Sequence, residues 1–139
     1  MRASFFELKK QAAPGIDGER CRDYAKEFER RIEDLHGRIH RGAYRAKPSK
    51  RSYIPKPEGK ERPLGIAALE DKIVQQAART VLEGIYEQDF LGFSYGYRPG
   101  RDSHQALDAL FVGISRRKVN WIIDADIRGF YDNISHEWW

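Results

Sequence analysis

Residues 121–132, Trp-Ile-Ile-Asp-Ala-Asp-Ile-Arg-Gly-Phe-Tyr-Asp, constrain this chain more than any other stretch. An apolar run, Trp121 to Ile123, delivers two carboxylates, Asp124 and Asp126. Strand residues two apart share a face. A strand over 119–126 would therefore carry both carboxylates on one side, at the end of a buried element. Carboxylates in that position cost desolvation energy unless a cation or hydrogen bonds compensate. Mg²⁺ is one such cation, since it prefers a few carboxylates together with substrate phosphates. A tight Arg128-Gly129 step and two aromatics, Phe130 and Tyr131, follow at once.

The charge distribution narrows the partners. The net charge of +4 hides an asymmetry. Residues 1–62 hold 17 Lys/Arg against 10 Asp/Glu, or +7, and residues 63–139 hold 8 against 11, or −3. Nine basic residues fall between Arg38 and Arg62, against only Glu58 and Glu61. A basic half joined to a mildly acidic half suits a polyanion-binding surface beside a metal-binding one. The plainer alternative is a solvated charged face. No run of about 18 apolar residues exists, so no membrane span is expected, and the N-terminus lacks the apolar core of a secretory signal. The single Cys21 excludes an internal disulfide and a zinc cluster, and it fits a reducing cytosol.

Periodicity lays out an α+β chain of 139 residues. Residues 9–18 read as a loop, with Pro14-Gly15 and Asp17-Gly18 as turn punctuation and Ile16 as an anchor. From 19 to 41, Tyr24, Phe28, Ile32, Leu35 and Ile39 fall three or four apart, the stripe of an amphipathic helix that Gly42 ends. Residues 51–55 and 61–66 read as two strands around a Lys56-Pro57-Glu58-Gly59-Lys60 turn, a basic hairpin. A helix is expected over 69–87, with Ile73, Ala77, Val81 and Ile85 on one stripe. Residues 90–101 form an aromatic, Gly-rich loop, and Asp102 or Ser103 caps a third helix carrying Leu107, Leu110, Phe111 and Ile114. The chain stops just after a helix start, at Trp138-Trp139, and reads as truncated.

Five motifs in order carry a resemblance. They are Ala-Pro-Gly-Ile-Asp-Gly (13–18), Tyr-Ile-Pro-Lys-Pro-Glu-Gly-Lys-Glu-Arg-Pro-Leu-Gly-Ile (53–66) and Leu-Glu-Asp-Lys-Ile-Val-Gln-Gln-Ala (69–77). Phe-Ser-Tyr-Gly-Tyr-Arg-Pro-Gly-Arg-Asp-Ser-His-Gln-Ala-Leu (93–107) and Asp-Ala-Asp-Ile-Arg-Gly-Phe-Tyr-Asp-Asn-Ile (124–134) complete the series. Together they resemble bacterial group II intron-type reverse transcriptases, the intron-encoded RNA-directed DNA polymerases and maturases. The resemblance covers roughly residues 9–137. It implies an N-terminal extension and loop (1–18), fingers and fingers–palm helices (19–118), and the first palm strand with the start of the next helix (119–139) of a right-hand polymerase. The rest of the palm, with its Tyr-x-Asp-Asp loop, is not in this sequence, nor are the thumb and maturase regions.

The resemblance also implies roles. By motif position Asp126 would be the catalytic carboxylate that holds two Mg²⁺ ions, with the Ile127 carbonyl and Asp124 beside it as further metal ligands. Lys56 and Arg62 would hold the incoming dNTP triphosphate, and Tyr131 would be the steric gate under its sugar. By their charge, Arg38, Arg41, Arg45, Lys47 and Lys50 read as a phosphate-contacting stripe that would position template RNA without reading its sequence, with Arg51 beside them. Gly65 would let the backbone approach the templating pair, and Arg98 and Arg101 would grip the nucleic-acid backbone. Asp132 and Asn133 would fix the turn after Asp126. The partners implied are template or intron RNA, a DNA or RNA primer and dNTPs, in a bacterial cytoplasm and with no membrane. With one catalytic carboxylate, the chain alone is expected to be inactive. The competing reading is a non-catalytic RNA-binding fingers module or a degenerate remnant. Unpaired edges on 119–126 and the terminal tryptophans raise the expectation of self-association.

Overall fold

The computed structural model describes residues 1–55, 59, 61–130, 133–135 and 137. Its contacts divide the chain into two units, residues 1–89 and 90–139. Both are built from helices, apart from one small antiparallel sheet in the first, so the α+β expectation holds.

The first unit begins with a helix absent from the sequence reading, α1 (Arg2–Glu7). Six residues are too few to display a helical period. Yet α1 buries Ser4 and Phe5, and Gln76 on the fourth helix donates to Glu7 Oε2 at 2.7 Å. Lys10 closes its end: the ammonium donates to the Phe5 carbonyl at 2.9 Å and sits 4.2 Å above the Phe5 ring.

The single helix expected over 19–41 is broken. α2 (Cys21–Tyr24) passes through a 3₁₀ turn (Ala25–Glu27) into α3 (Phe28–His40). Glu27 leaves helical geometry at φ −124°, ψ 32°. The break turns Cys21 and Tyr24 onto Phe5, whose ring lies 5.5 Å from that of Tyr24 and 4.9 Å from that of Phe28. Packing against α1 overrides the continuous stripe. The predicted stripe survives within α3, where Ile32 and Leu35 are buried and Phe28 and Ile39 are partly so. α3 ends as the sequence indicates. Gly42 takes φ 66°, its N–H bonds Ile39 O at 3.0 Å, and the Ala43 N–H bonds Arg38 O at 2.9 Å. That pair of bonds is a Schellman cap, which favours glycine at the left-handed position.

Next come β1 (Lys50–Pro55) and β2 (Glu61–Ile66), antiparallel, with Arg51 opposite Gly65 and Ile54 opposite Arg62. α4 (Leu69–Tyr86) follows and buries Leu69, Asp71 and Ile73. The core is thus Phe5, Cys21, Tyr24, Ile32, Leu35, Leu69 and Ile73. Each fully buried aliphatic side chain contributes roughly 1.5–3 kcal/mol. Burial pushes the Tyr24 phenol up to about 12, and its hydroxyl has no partner among the described residues. The loop 9–18 is anchored by Gly15 rather than by Ile16. Gly15 is buried, whereas Ile16 is 57% exposed.

In the second unit, α5 (Ser103–Arg116) starts where expected, with the Asp102 carboxylate accepting the Gln105 N–H at 2.8 Å. Its apolar residues Leu107, Leu110, Phe111 and Ile114 are exposed. The strand expected over 119–126 is not formed. A strand exists by its ladder, and the sole sheet among the described residues is β1–β2. Trp121 and Ile123 are 89% and 91% exposed, so Asp124 and Asp126 do not sit at the end of a buried element.

Candidate functional site

In the first unit the basic residues sort into two groups. Arg38 is tied into the fold, donating to Asp34 Oδ2 and to Glu70 Oε2, each at 2.8 Å. Those carboxylates hold its guanidinium above its ordinary pKa, the bond to Glu70 first among the causes. It therefore joins α3 to α4 and is not part of an open phosphate-contacting stripe. Lys47 is also engaged, its ammonium 2.9 Å from Asp17 Oδ2. Arg45 folds back onto its own turn, donating to the Gly42 and Tyr44 carbonyls at 3.0 and 2.8 Å. Arg41, Lys50, Arg51 and Arg62 are exposed and make no side-chain hydrogen bond or ion pair among the described residues.

Alternation along the hairpin places Lys50 and Arg62 on one face with Ser52, Ile54, Leu64 and Ile66. Arg51 lies on the other face, opposite Gly65 and beside Tyr53 and Pro63. The bare Gly65 leaves the Arg51 face low. Lys56 and Lys60, at the hairpin tip, lie outside the described residues.

The base of the hairpin holds a cluster that the sequence reading missed. The Asp71 carboxylate is 4% exposed. One oxygen accepts the Tyr44 hydroxyl and the other accepts the Lys47 N–H at 3.1 Å. Burial, then the bond to Asp71, raises the Tyr44 phenol above its ordinary range. Next to it, Lys72 donates to the Ala13 carbonyl at 2.6 Å, and Gly15 lies against the backbone of Ala67 and Ala68. The segment entering β1 and the segment leaving β2 are therefore both fixed to the start of α4. In sequence, Glu70 and Asp71 look like the acidic first turn that complements a helix dipole. Only the position of Tyr44 reveals the second role.

In the second unit, Arg98 knots its own loop, donating to the Leu91 and Ser94 carbonyls at 3.0 and 2.8 Å. Its guanidinium lies 4.9 Å from the Phe90 ring centre. Arg101 stacks over Tyr95 at 5.4 Å, on the wall of an open cleft of about 400 Å³ lined also by Tyr97, Asp102 and Ser103. Tyr97 is fully exposed and has φ 57°. A left-handed conformation costs a non-glycine residue roughly 1–2 kcal/mol. Asp124, Asp126 and Ile127 are all exposed. Asn133 closes the following turn by donating to the Gly129 carbonyl at 2.8 Å, as expected. Asp132 and Tyr131 lie outside the described residues. Asp124 and Asp126 are oxygen donors of the kind Mg²⁺ takes, but no group of three or more possible metal-ligating side chains converges among the described residues.

Residues 54–139 match the family described as reverse transcriptase (RNA-dependent DNA polymerase). The chain belongs to the reverse transcriptase family. Over 126 residues this family member is 36% identical to Protein YkfC of Escherichia coli strain K12, covering 88% of the present chain and 33% of YkfC. Over 112 residues it is 39% identical to the group II intron-encoded protein LtrA of Lactococcus lactis subsp. cremoris, covering 78% of this chain and 18% of LtrA. An uncharacterized 91 kDa protein in a cob intron of Schizosaccharomyces pombe is 42% identical over 90 residues, covering 65% of this chain and 11% of that protein. The group II intron-type resemblance read from the motifs is thus borne out. The reverse transcriptase chain spans a third or less of the length of these relatives. No helix among its described residues is long and apolar enough to cross a membrane.

Proposed function

We propose that this chain supplies the fingers portion and the first palm carboxylate of an RNA-directed DNA polymerase. The observation that supports it best is the basic hairpin, fixed at its base and presenting Lys50, Arg51 and Arg62 exposed and without side-chain partners among the described residues. Arg62, with Lys56, would grip the incoming triphosphate, since guanidinium binds phosphate in bidentate fashion. Arg41, Arg45, Lys50 and Arg51 would contact the backbone of template or intron RNA, with Gly65 giving the templating pair room. Arg101 and the tyrosines of its cleft would hold nucleic acid by charge and stacking, while Arg98 shapes that loop. Asp126, with the Ile127 carbonyl and Asp124, would be this chain's share of the metal ligands, and Tyr131 the gate against a 2′-hydroxyl. Bound Mg²⁺ would activate the primer hydroxyl and stabilise the leaving pyrophosphate.

One carboxylate set cannot assemble both metals. A primer-extension assay of the chain alone, with Mg²⁺ or Mn²⁺, should therefore give no templated product, and a dNTP-dependent product would overturn this point. What the chain can do alone is grip RNA, because the basic first unit carries its own core. RNA affinity should fall steeply with salt. Each phosphate contact to single-stranded RNA contributes a slope of about 0.7 in log K against log salt. Charge reversal of Arg41, Arg45 and Lys50 together should lower that slope by about 2. An unchanged slope in a fluorescence-anisotropy titration would reduce the stripe to a solvated face.

A further inference from the structure

His36 and His40 lie one turn apart in the last turns of α3, both exposed. Residues four apart share a helix face. Their Nε2 atoms are 2.9 Å from each other, and the ring centres are 4.2 Å apart with planes inclined by 59°. Two neutral imidazoles at that distance share a proton, one ring's N–H donating to the other's bare nitrogen. The same separation is the bite of a metal chelate. With metal–nitrogen bonds of about 2.0–2.1 Å, two cis nitrogens stand about 2.9–3.4 Å apart.

We propose that His36 and His40 form a two-imidazole site for a late first-row transition-metal dication, Cu²⁺ ahead of Ni²⁺ and Zn²⁺. On binding, the shared proton moves to Nδ1 of its own ring, and both Nε2 lone pairs point at the metal. Water completes the coordination, since no third ligating side chain converges there among the described residues. Three features favour a cation at this place. The rings sit at the C-terminal end of α3, where the helix dipole is negative. Glu33, on the same face one turn earlier, carries a carboxylate whose one ion pair among the described residues is a 3.4 Å contact with Arg2. An open groove of about 450 Å³, lined by Met1, Arg2, Ile32, Glu33, His36 and Gly37, leaves the His36 ring approachable, with the Arg2 charge drawn toward Glu33. The site is distinct from the Mg²⁺ chemistry proposed above, because Mg²⁺ takes oxygen ligands. A metal here staples the turn that leads through Gly42 into the basic segment.

The intact chain should be titrated with Cu²⁺ alone and with Zn²⁺ alone by calorimetry in a non-chelating buffer. One Cu²⁺ per chain is expected, bound more tightly than Zn²⁺, with two nitrogen couplings in its electron paramagnetic resonance spectrum. His36→Gln and His40→Gln should each weaken Cu²⁺ binding by on the order of tenfold or more, while His104→Gln and Cys21→Ser leave it unchanged. Both histidines are exposed, so the variants should keep the parent circular dichroism. Unchanged affinity in either single-histidine variant would overturn the site, as would loss of binding on Cys21→Ser or His104→Gln.

Discussion

Gly15→Ala should destabilise the first unit by about 3 kcal/mol or more, the upper end of overpacking costs. A Cβ built on Gly15 would stand 2.6 Å from the Cα and N of Ala68 and 2.7 Å from the Ala67 carbonyl oxygen. These are backbone atoms at the exit of the hairpin and the start of α4, so no side chain can swing aside. Ala68 is itself fully buried and hemmed in by the core. The loop would have to lift, taking with it the Lys72–Ala13 bond and the Asp17–Lys47 pair. Urea unfolding followed by far-ultraviolet circular dichroism measures the change in midpoint. Gly84→Ala is the control of opposite sign. Gly84 lies within α4, nothing stands within 4 Å of its added Cβ, and alanine there should stabilise by roughly 0.5–1 kcal/mol. A Gly15→Ala midpoint at or above that of the parent would show that the loop is not seated as described.

Asp71→Ala should cost about 1–3 kcal/mol, because it removes the buried acceptor that two part-buried donors share. The Tyr44 hydroxyl and the Lys47 N–H both lose their acceptor. Asp71→Asn keeps one carbonyl acceptor and should fall between alanine and the parent. Truncating Tyr44 to phenylalanine in the Asp71→Ala background should then cost little more, the signature of one shared interaction in a double-mutant cycle. Additive losses would refute the latch. Alkaline pH provides an independent check. Both Tyr24, pushed to about 12 from an ordinary 10.0, and Tyr44, also raised, keep their protons longer in the folded chain. Above pH 10 the folded state therefore binds more protons than the unfolded one, and stability falls as pH rises. Below pH 10 that contribution is complete. Asp71→Ala should flatten the share of the decline that belongs to Tyr44.

The hairpin, α4 and α5 were readable because each carries a local signal: alternating strands around a Pro-Gly turn, a 3.6-residue stripe, an aspartate cap. The break at Glu27 was not readable. Its cause is a contact with α1, and α1 is too short to announce itself. The strand expected at 119–126 shows the opposite failure. Its apolar run is present, but a strand also needs a ladder, and local sequence cannot provide one. The basic stripe was visible as charge alone. Which cations face outward depended on where Asp17, Asp34 and Glu70 sit, and that removed Arg38 from the open set. Asp71 stayed hidden because a buried acceptor looks the same in sequence as a helix-dipole aspartate.

Tyr97 ties two of these threads together. Its ring is fully exposed on the wall of the Arg101 cleft, and it bears the strain of the left-handed backbone beneath. Glycine would serve folding better at that position. A chain shaped only for stability would relinquish the tyrosine, so the proposed stacking of nucleic acid on this loop would be held at a cost to folding. On that proposal, Tyr97→Gly would trade a more stable loop for a weaker grip on nucleic acid, which sets a limit on stabilising the protein by surface redesign.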